Sequence, residues 1–259
     1  MYPELLKIGP VTIYSYGLMA ALGFLLGGYL LERELQRVGR SKDLAGSIII
    51  AAIIGGIVGS KIYYLIQNPH LLQQDLLGSV FSGAGLIWYG GVIGGTLTVT
   101  WWIRRKGLPF LLVGDLMAPL LLLGQGMGRI GCFLAGDGCY GPPSDVPWAI
   151  AFPNGVVPTI EPVHPTPLYD TILLFTLFLI MWSLRKRNFK PGTLFGLFGV
   201  FIGIERFITE FWRTDPKFIL GFMSEAQLIS IILFLSGLAL IIYVNKYRKE
   251  PDKSDIKKS

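Results

Sequence analysis

The residues best suited to chemistry lie in one glycine-rich stretch, Gly124–Gly141, which reads GQGMGRIGCFLAGDGCYG. Arg129 is a fixed cation there, and the glycines around it, including Gly128 and Gly131, predict a backbone whose N–H groups stay accessible. Accessible N–H groups beside a guanidinium favour an anion such as the phosphate of a lipid. The stretch is not a nucleotide-binding P-loop, because it contains no Gly-Lys-Ser or Gly-Lys-Thr.

A second charged segment, Glu205–Arg213, supplies two further arginines. Arg206 and Glu210 stand four positions apart, so a helix places them on one face, which Arg213 shares. Guanidinium groups bind phosphate through two parallel hydrogen bonds, and the three arginines together predict a phosphate site. The alternative is structural ion pairing, because several acidic residues lie close in sequence: Asp137, Glu205, Glu210 and Asp215.

Three further motifs are weaker signals, and each has a structural alternative. Tyr16, next to Gly17, offers either a hydroxyl inside a helical bundle or an anchor at the membrane interface. The paired glycines Gly90 and Gly91 permit the close approach of a ligand or of another helix. His164, in the stretch HPTPLYD, is either a catalyst or a structural hydrogen-bonding group.

Composition places these motifs in a membrane protein. Of the 259 residues, 52% are apolar and 15% are charged, whereas soluble domains carry about 25% charged residues. The sequence therefore predicts one all-α integral membrane domain over residues 1–250 and a charged, disordered tail at 251–259. Seven apolar runs have roughly the 17 to 25 residues that a bilayer crossing needs: Val11–Leu31, Leu44–Leu65, Ile87–Ile103, Leu108–Gln125, Pro167–Leu184, Gly192–Ile208 and Ser224–Val244.

The basic residues predict the orientation of these spans. Most of the 23 Lys and Arg residues fall in clusters after alternate spans, at 33–42, 104–106, 185–190 and 246–258. Positive residues mark the cytoplasmic side, so the N-terminus is predicted outside and the C-terminus inside. The same distribution argues against a nucleic-acid partner, despite a net charge of +6 and a pI near 9.3.

The long connections then lie outside and form a large extracytoplasmic loop or head region: Gln67–Leu86, Gly126–Thr166 and Thr209–Met223. Long loops on a rigid scaffold tend to carry function, so the active side is predicted to be the outer one. Both cysteines, Cys132 and Cys139, fall there. They are either a disulfide of an oxidising compartment or two small buried side chains.

Taken together, the motifs resemble the prolipoprotein diacylglyceryl transferase family, in the family's order and over nearly the whole chain. The resemblance rests on Tyr16-Gly-Leu-Met19, Gly90-Gly91-Val-Ile-Gly94, Gly128-Arg129-Ile-Gly131 with Gly136–Gly141 downstream, His164–Tyr169, and Arg206 followed by Glu210-Phe-Trp-Arg213. Gly-Arg-x-Gly is the most specific of these motifs. Seven spans with the N-terminus outside also match the family.

The resemblance implies a multi-pass transferase of the bacterial plasma membrane. Such an enzyme moves the diacylglyceryl group of phosphatidylglycerol to the lipobox cysteine thiol of a prolipoprotein signal peptide, forming a thioether and releasing glycerol-1-phosphate. Arg129 and Arg206 would hold the phosphate and offset the charge of the leaving group. Asp137 would stand where the family has a glutamate, and Tyr16 would line the lipid site. The resemblance implies no metal or organic cofactor, and a monomer is compatible with it.

The rest of the predicted substrate-binding set follows from the same motifs: Gly90, Gly91, Gly128, Gly131, Cys132, Gly141, His164, Glu210 and Arg213. The chain departs from the family pattern at three places. Tyr89 stands where the family often has a histidine proposed as the base for the acceptor thiol, and a tyrosine hydroxyl, which ordinarily titrates near pH 10, is a poor base for a thiol. Cys132 replaces an asparagine, whose hydrogen bonds a thiol cannot make. The loop from Gly136 to Gly141 carries one extra residue.

These departures keep two alternatives to the transferase open. One is a divergent member of the same fold that takes another acceptor or donor and uses a cysteine. The other is a phospholipid-binding or transport protein without bond chemistry. A transporter favours paired, interrupted helices in repeated halves, and the sequence shows no clear repeat.

Overall fold

The computed structural model describes residues 1–9, 11–69, 87–214, 216–217 and 221–247, and it is mainly helical. Its elements in chain order are β1 (Glu4–Ile8), β2 (Val11–Tyr14), α1 (Ser15–Arg37), α2 (Asp43–Gln67), α3 (Trp88–Arg105), α4 (Phe110–Ala135), β3 (Ile150–Phe152), β4 (Thr159–Val163), α5 (Thr166–Leu184), α6 (Thr193–Thr209), a 3-10 turn (Glu210–Trp212) and α7 (Glu225–Tyr247). Each of the seven apolar runs overlaps one helix. Most of the predicted outer loop at 67–86, the acid Asp215 and the predicted tail at 251–259 lie outside the described residues.

Within the described ranges, five helices are by length and composition able to cross a membrane, namely α1, α2, α4, α5 and α7. Their outward side chains are apolar: Leu25 is 71% exposed and Ile66 is 70% exposed. Exposed apolar surface on this scale is what a lipid environment requires and what water disfavours. The α3 helix is less apolar and α6 has only 17 residues. The described part of the chain is thus a mainly helical membrane protein, and the number of crossings remains a prediction.

The first predicted span begins too early. Val11–Tyr14 forms a strand that pairs antiparallel with Glu4–Ile8, and the helix starts only at Ser15. The Ser15 N–H donates to the Pro3 carbonyl at 2.9 Å. β-branched Val, Thr and Ile residues favour the extended backbone at this point, so the apolar run divides into a hairpin strand and a helix.

The fourth predicted span ends too early. The helix α4 continues past Gln125 to Ala135, so the glycines around Arg129 are helical and do not form an open loop. Each glycine costs about 1 kcal/mol in a helix interior, and close packing offsets this cost at two of them. A Cβ on Gly126 would lie 2.8 Å from the Phe175 ring, and one on Gly131 would lie 3.1 Å from the Tyr16 backbone.

The chain divides into two units, which are described separately. The larger comprises Met1–Leu30 and the chain from Gly114 onward, and the smaller comprises Leu31–Val113. The core of the larger unit lies where α4, α5 and α6 meet; its buried side chains are Ala118, Leu122, Leu174, Met181, Leu194 and Ile202. The helices α6 and α7 approach so closely that a Cβ on Gly237 would lie 2.4 Å from the Gly196 carbonyl oxygen.

The buried aspartate of α4 has a structural role in the larger unit. Asp115 accepts hydrogen bonds from the backbone N–H groups of Gly192 at 2.7 Å and Phe195 at 2.8 Å. The first N–H groups of a helix have no partner within the helix, so a carboxylate there satisfies them and meets the positive end of the helix dipole. Asp115 therefore fixes where α6 begins.

In the smaller unit, α2 packs against α3 through facing glycines. A Cβ on Gly94 would lie 2.2 Å from the Gly55 carbonyl oxygen, and one on Gly90 would lie 2.4 Å from the Gly59 carbonyl oxygen. Small residues of this kind let helix backbones come into contact in a membrane. The Thr98 hydroxyl bonds the Ala51 carbonyl across this contact at 2.9 Å. The paired-glycine motif thus serves helix packing, which is one of the two interpretations that the sequence left open.

Candidate active site

Arg129 lies near the C-terminal end of α4, and its partner in the structure is Asp170 on α5. The Arg129 Nε atom lies 3.1 Å from Asp170 Oδ2. The Asp170 side chain is 1% exposed, whereas that of Arg129 is 27% exposed. The guanidinium has five N–H donors, so this contact leaves donors on the exposed side for an anion from outside.

Asp170 also pairs with a second arginine. The Arg213 Nη2 atom donates to the same Oδ2 oxygen at 2.5 Å, and the Arg213 side chain is only 7% exposed. The sequence placed Arg213 on the helical face of Arg206, and this prediction is wrong. Helical structure ends at Trp212 and Arg213 has an extended backbone, so its side chain turns to α5 instead.

Asp170 is absent from the predicted site set. The sequence did contain a sign that Asp170 matters. Its carboxylate lies in the first turns of an apolar span, directly after the His164–Tyr169 motif. An ionisable residue at such a place marks function or buried pairing. Glu205, which the sequence considered only as an ion-pair candidate, is also buried and interacts electrostatically with Asp170, Arg129 and Arg206.

The third arginine, Arg206, pairs with the acid four residues later, as the helical spacing predicts. Its Nη2 atom lies 2.8 Å from Glu210 Oε2, and the Arg206 side chain is 24% exposed. The Ser224 hydroxyl donates to Glu210 Oε1 at 2.7 Å, and Gln227 accepts from the Ser224 N–H at 3.1 Å. Glu210 is therefore held from two sides, and the Arg206 guanidinium is held with it.

The three predicted arginines thus divide by exposure. All three make ion pairs, as the structural alternative proposed, but the pairs are not equivalent. Arg213 is enclosed, whereas Arg129 and Arg206 each leave about a quarter of the side chain accessible. A partly exposed guanidinium paired with a buried carboxylate keeps N–H donors that an anion such as phosphate can accept from. An enclosed one serves to orient the carboxylate.

The loop after α4 brings both cysteines and an aspartate together. The backbone turns at Gly136 and Gly138 with φ of 59° and 86°, a region that glycine adopts without strain. The Asp137 Oδ1 atom accepts the Cys139 N–H at 3.2 Å, and the Thr166 hydroxyl donates to the Cys139 carbonyl. The Sγ atoms of Cys132 and Cys139 and a carboxylate oxygen of Asp137 all lie within 4.8 Å of one another.

The two cysteines are free thiols, not a disulfide. A hydrogen bond with the Cys132 thiol lowers the pKa of the Cys139 thiol, against the opposing effect of burial. Cys132 is buried at the end of α4 and Cys139 is half-buried in the loop. The Arg129 guanidinium interacts electrostatically with both thiols.

Gly141 and His164 connect this loop to the segment just before α5. The Gly141 N–H donates to the His164 carbonyl at 2.9 Å, and a Cβ on Gly141 would lie 2.1 Å from the Trp212 carbonyl oxygen. The His164 Nδ1 atom lies 3.1 Å from the Tyr169 hydroxyl, which accepts from Trp148 Nε1 at 2.7 Å. These contacts fit the structural interpretation of His164, and its part in function stays a prediction.

The remaining predicted residues differ in their placement. Tyr16 is 46% exposed and lies within electrostatic range of Arg129, Cys132 and Asp137. Gly128, on α4, has open space where a side chain would stand. Tyr89, Gly90 and Gly91 belong to the smaller unit, at the N-terminal end of α3. A Cβ on Gly91 would lie 2.7 Å from the Ser60 hydroxyl.

Two cavities flank the Arg206 segment. One is an apolar groove of about 240 Å³ between α6 and α7, lined by residues that include Ile204, Phe207 and Phe234. The other is a polar cavity of about 70 Å³ bounded by Glu210, Arg213 and others. The groove between α6 and α7 is lined almost wholly by apolar side chains, which is the kind of surface that an acyl chain can occupy.

Apolar helices and a charge network with two partly exposed arginines describe a mainly helical membrane protein with a candidate anion site. The model of the family described as prolipoprotein diacylglyceryl transferase matches residues 3–243, and the chain belongs to this family. The resemblance that the motifs indicated is therefore confirmed.

Similar proteins carry the corresponding name. The chain is 36% identical over 259 residues to the phosphatidylglycerol–prolipoprotein diacylglyceryl transferase of Clostridium tetani, covering 96% of this chain and 100% of the relative. It is 33% identical to the protein of that name from Vibrio parahaemolyticus, with 98% and 95% covered. It is 35% identical to phosphatidylglycerol–prolipoprotein diacylglyceryl transferase 2 of Clostridium perfringens, with 93% and 94% covered.

Proposed function

We propose that the protein transfers the diacylglyceryl group of phosphatidylglycerol to the lipobox cysteine thiol of prolipoproteins. The observation that carries this proposal is the pair of partly accessible arginines, Arg129 and Arg206, in a chain that matches the family over nearly its full length. Relatives named for this activity share the length of the chain, which favours it over a divergent acceptor or a binding protein without chemistry.

In this proposal, Arg129 and Arg206 bind the phosphate of phosphatidylglycerol. The acceptor thiol releases its proton to solvent and its sulfur forms a bond to the glyceryl carbon. The carbon–oxygen bond to phosphate breaks, and its electrons stay with the phosphate oxygen of the departing glycerol-1-phosphate. The phosphate changes from a monoanionic diester to a monoester with more negative charge. Two preorganised cations stabilise that change, which is typically the largest catalytic term.

The other residues support these two. Asp170 positions Arg129, and the charge of the Asp170 carboxylate is also compensated by Arg213. Glu210 positions Arg206. Gly128 leaves room for the headgroup beside Arg129, and Gly131 lets Tyr16 come close, where its hydroxyl lines the lipid site. The apolar groove beside α6 receives an acyl chain. Gly141 and His164 hold the outer loop against the end of α6.

The same proposal includes the setting of the site. The protein is a monomer with seven spans in the bacterial plasma membrane, and its N-terminus and active site face outward. Basic residues in the last turns of α1, α3 and α7 support this orientation: Arg37, Arg104, Arg105 and Lys246. These helix ends are the ones that the positive-inside rule assigns to the cytoplasm. Arg129 and Arg206 lie near the ends of α4 and α6, which the alternation of spans directs outward.

The test is a transfer assay with phosphatidylglycerol vesicles and a lipobox peptide, following both the thioether product and the released glycerol phosphate. Arg129→Ala and Arg206→Ala should each lower turnover by about 100-fold or more, as loss of a transition-state cation does. Arg187→Ala, which removes an exposed arginine from a loop, is the matched control and should turn over like the wild type. Normal turnover in both site variants would contradict the phosphate role. A wild-type protein that binds the lipid without releasing glycerol phosphate would be a binding protein instead.

A further inference from the structure

Cys132, Asp137 and Cys139 form a cluster that the phosphate chemistry does not use. Their ligand atoms lie within 4.8 Å of one another, on the last turn of α4 and the loop that follows. Thiolates and carboxylates are ligands of zinc, and three protein ligands with one open position are the pattern of catalytic rather than structural zinc sites. The family resemblance alone implies no metal, so this cluster is a property of this chain's own residues.

We propose that Cys132, Asp137 and Cys139 bind a zinc ion whose fourth coordination position takes the acceptor thiol. The second half of this proposal rests on the proposed transferase function; the first half does not. It assigns a role to two of the three places where the chain departs from the family pattern, Cys132 and the altered loop around Asp137 and Cys139.

The distances fit a tetrahedral ion. With Zn–S bonds of about 2.3 Å, two thiolates at a tetrahedral zinc lie about 3.8 Å apart, and a thiolate and a carboxylate oxygen lie slightly closer. The observed limit of 4.8 Å therefore needs a contraction of about 1 Å at most. The glycines at 136 and 138 flank Asp137 and give the loop the freedom for this movement.

The carboxylate is already oriented for such a role. Asp137 Oδ1 accepts the Cys139 N–H, which leaves the other oxygen for the metal. Hydrogen bonds from outside the ligand set commonly fix ligand orientation in this way. The Cys139 backbone is anchored in turn by the Thr166 hydroxyl, so the loop and the start of α5 hold the ligands from two sides.

The charge of the site favours the ion. Two thiolates and a carboxylate around Zn²⁺ carry a net charge of −1, and the Arg129 guanidinium lies within electrostatic range of the sulfur ligands. A bound zinc therefore leaves an anionic centre beside a cation that has its own carboxylate partner, Asp170.

The chemistry follows from coordination. A thiol bound to zinc loses its proton to solvent at neutral pH, so no side chain need act as the base, and Tyr89 can stand where the family often has histidine. The metal-bound sulfur then forms the bond to the glyceryl carbon while the carbon–oxygen bond to phosphate breaks. No atom changes oxidation state, and the phosphate leaves toward Arg129 and Arg206.

The first experiment measures the metal without reference to transfer. The full-length protein, purified in detergent with its thiols reduced, is titrated with Zn²⁺, and bound metal is counted by mass spectrometry. One zinc per chain is expected. Cys132→Ser, Cys139→Ser and Asp137→Asn should weaken binding by more than about 100-fold, whereas Asp145→Asn, which changes an exposed carboxylate in the same loop, should bind like the wild type. Equal zinc binding by the wild type and the cysteine variants would overturn the site.

The second experiment uses Co²⁺ in the wild-type protein, so it does not depend on whether a variant folds. Sulfur-to-cobalt charge-transfer absorption and tetrahedral visible bands are expected, and a lipobox peptide with cysteine should strengthen the charge-transfer band while the same peptide with serine should not. Absence of the band, or thiols that titrate only after reduction because they form a disulfide, would overturn the metal site. A cobalt spectrum unaffected by the cysteine peptide would overturn the activation of the acceptor. Failure of transfer with an intact metal signal would instead count against the proposed function.

Discussion

The buried carboxylate oxygen of Asp170 lies 3.1 Å from the Nε atom of Arg129, although the two residues belong to different helices and lie in different sequence motifs. The same oxygen receives a hydrogen bond from Arg213. One carboxylate therefore joins the α4 arginine to the segment after α6. A buried charge with two cationic partners is costly to disturb, because any single loss leaves an uncompensated charge inside the protein.

The Asp170→Asn variant should lose both stability and transfer. Removing one partner of a buried ion pair costs about 3–5 kcal/mol, so the thermal midpoint in detergent should fall clearly. The folded fraction should also turn over more slowly, since Arg129 loses the contact that orients it. Asp145→Asn is the control for removing a carboxylate. If the folded Asp170→Asn fraction had wild-type specific activity, Asp170 would serve stability alone.

Arg129 and Arg213 should respond differently to lysine. Lysine keeps the charge but not the planar set of donors. Because Arg129 is partly exposed and Arg213 is enclosed, Arg129→Lys should raise the KM for phosphatidylglycerol or lower kcat with little change in thermal midpoint. Arg213→Lys should lower the thermal midpoint and leave the KM of the folded enzyme near its wild-type value. The opposite pattern would show that the enclosed arginine is the one that meets the lipid.

The Tyr89→Phe variant should retain most of the transfer activity. A tyrosine hydroxyl ordinarily titrates near pH 10, so at neutral pH it still carries its own proton and cannot accept the thiol proton. Rates measured across neutral to alkaline pH should show the same profile in both proteins. A loss of about 100-fold or more in Tyr89→Phe, the range expected for removal of a general base, would restore the hydroxyl as the base.

Facing glycines in the smaller unit should be intolerant of a single methyl group. In Gly94→Ala the new Cβ would lie 2.2 Å from a backbone carbonyl oxygen of α2, which cannot move without separating the helices. Overpacking typically costs about 1–3 kcal/mol, and a drop in thermal midpoint should report it. Gly46→Ala, on α2 with nothing within 4 Å of the new Cβ, is the matched control. Gly46→Ala should be neutral or slightly stabilising, because alanine favours a helix more than glycine does. An equal drop in both variants would contradict the role of the glycine contact.

Much of the fold was predictable because apolar runs long enough for a bilayer have few alternatives to helix. Each of the seven runs contains or overlaps one helix. The two boundaries that moved depend on contacts across the chain. Val11–Tyr14 is a strand because Glu4–Ile8 pairs with it. Gly126–Ala135 is helical because Phe175, Tyr16 and Met19 pack against its glycines.

The sequence by itself determined the family, the membrane class and the arginines of the site, since these depend on residue types and on spacing within one segment. The pairing of Arg206 with Glu210 was predictable for that reason: the two lie on the same helix. Only the tertiary structure decided that Asp170 links Arg129 to Arg213, that Arg213 is enclosed while Arg129 stays accessible, and that two cysteines and Asp137 share one small volume. Burial and ion pairing depend on which segment ends meet in space, and spacing within one segment does not specify that.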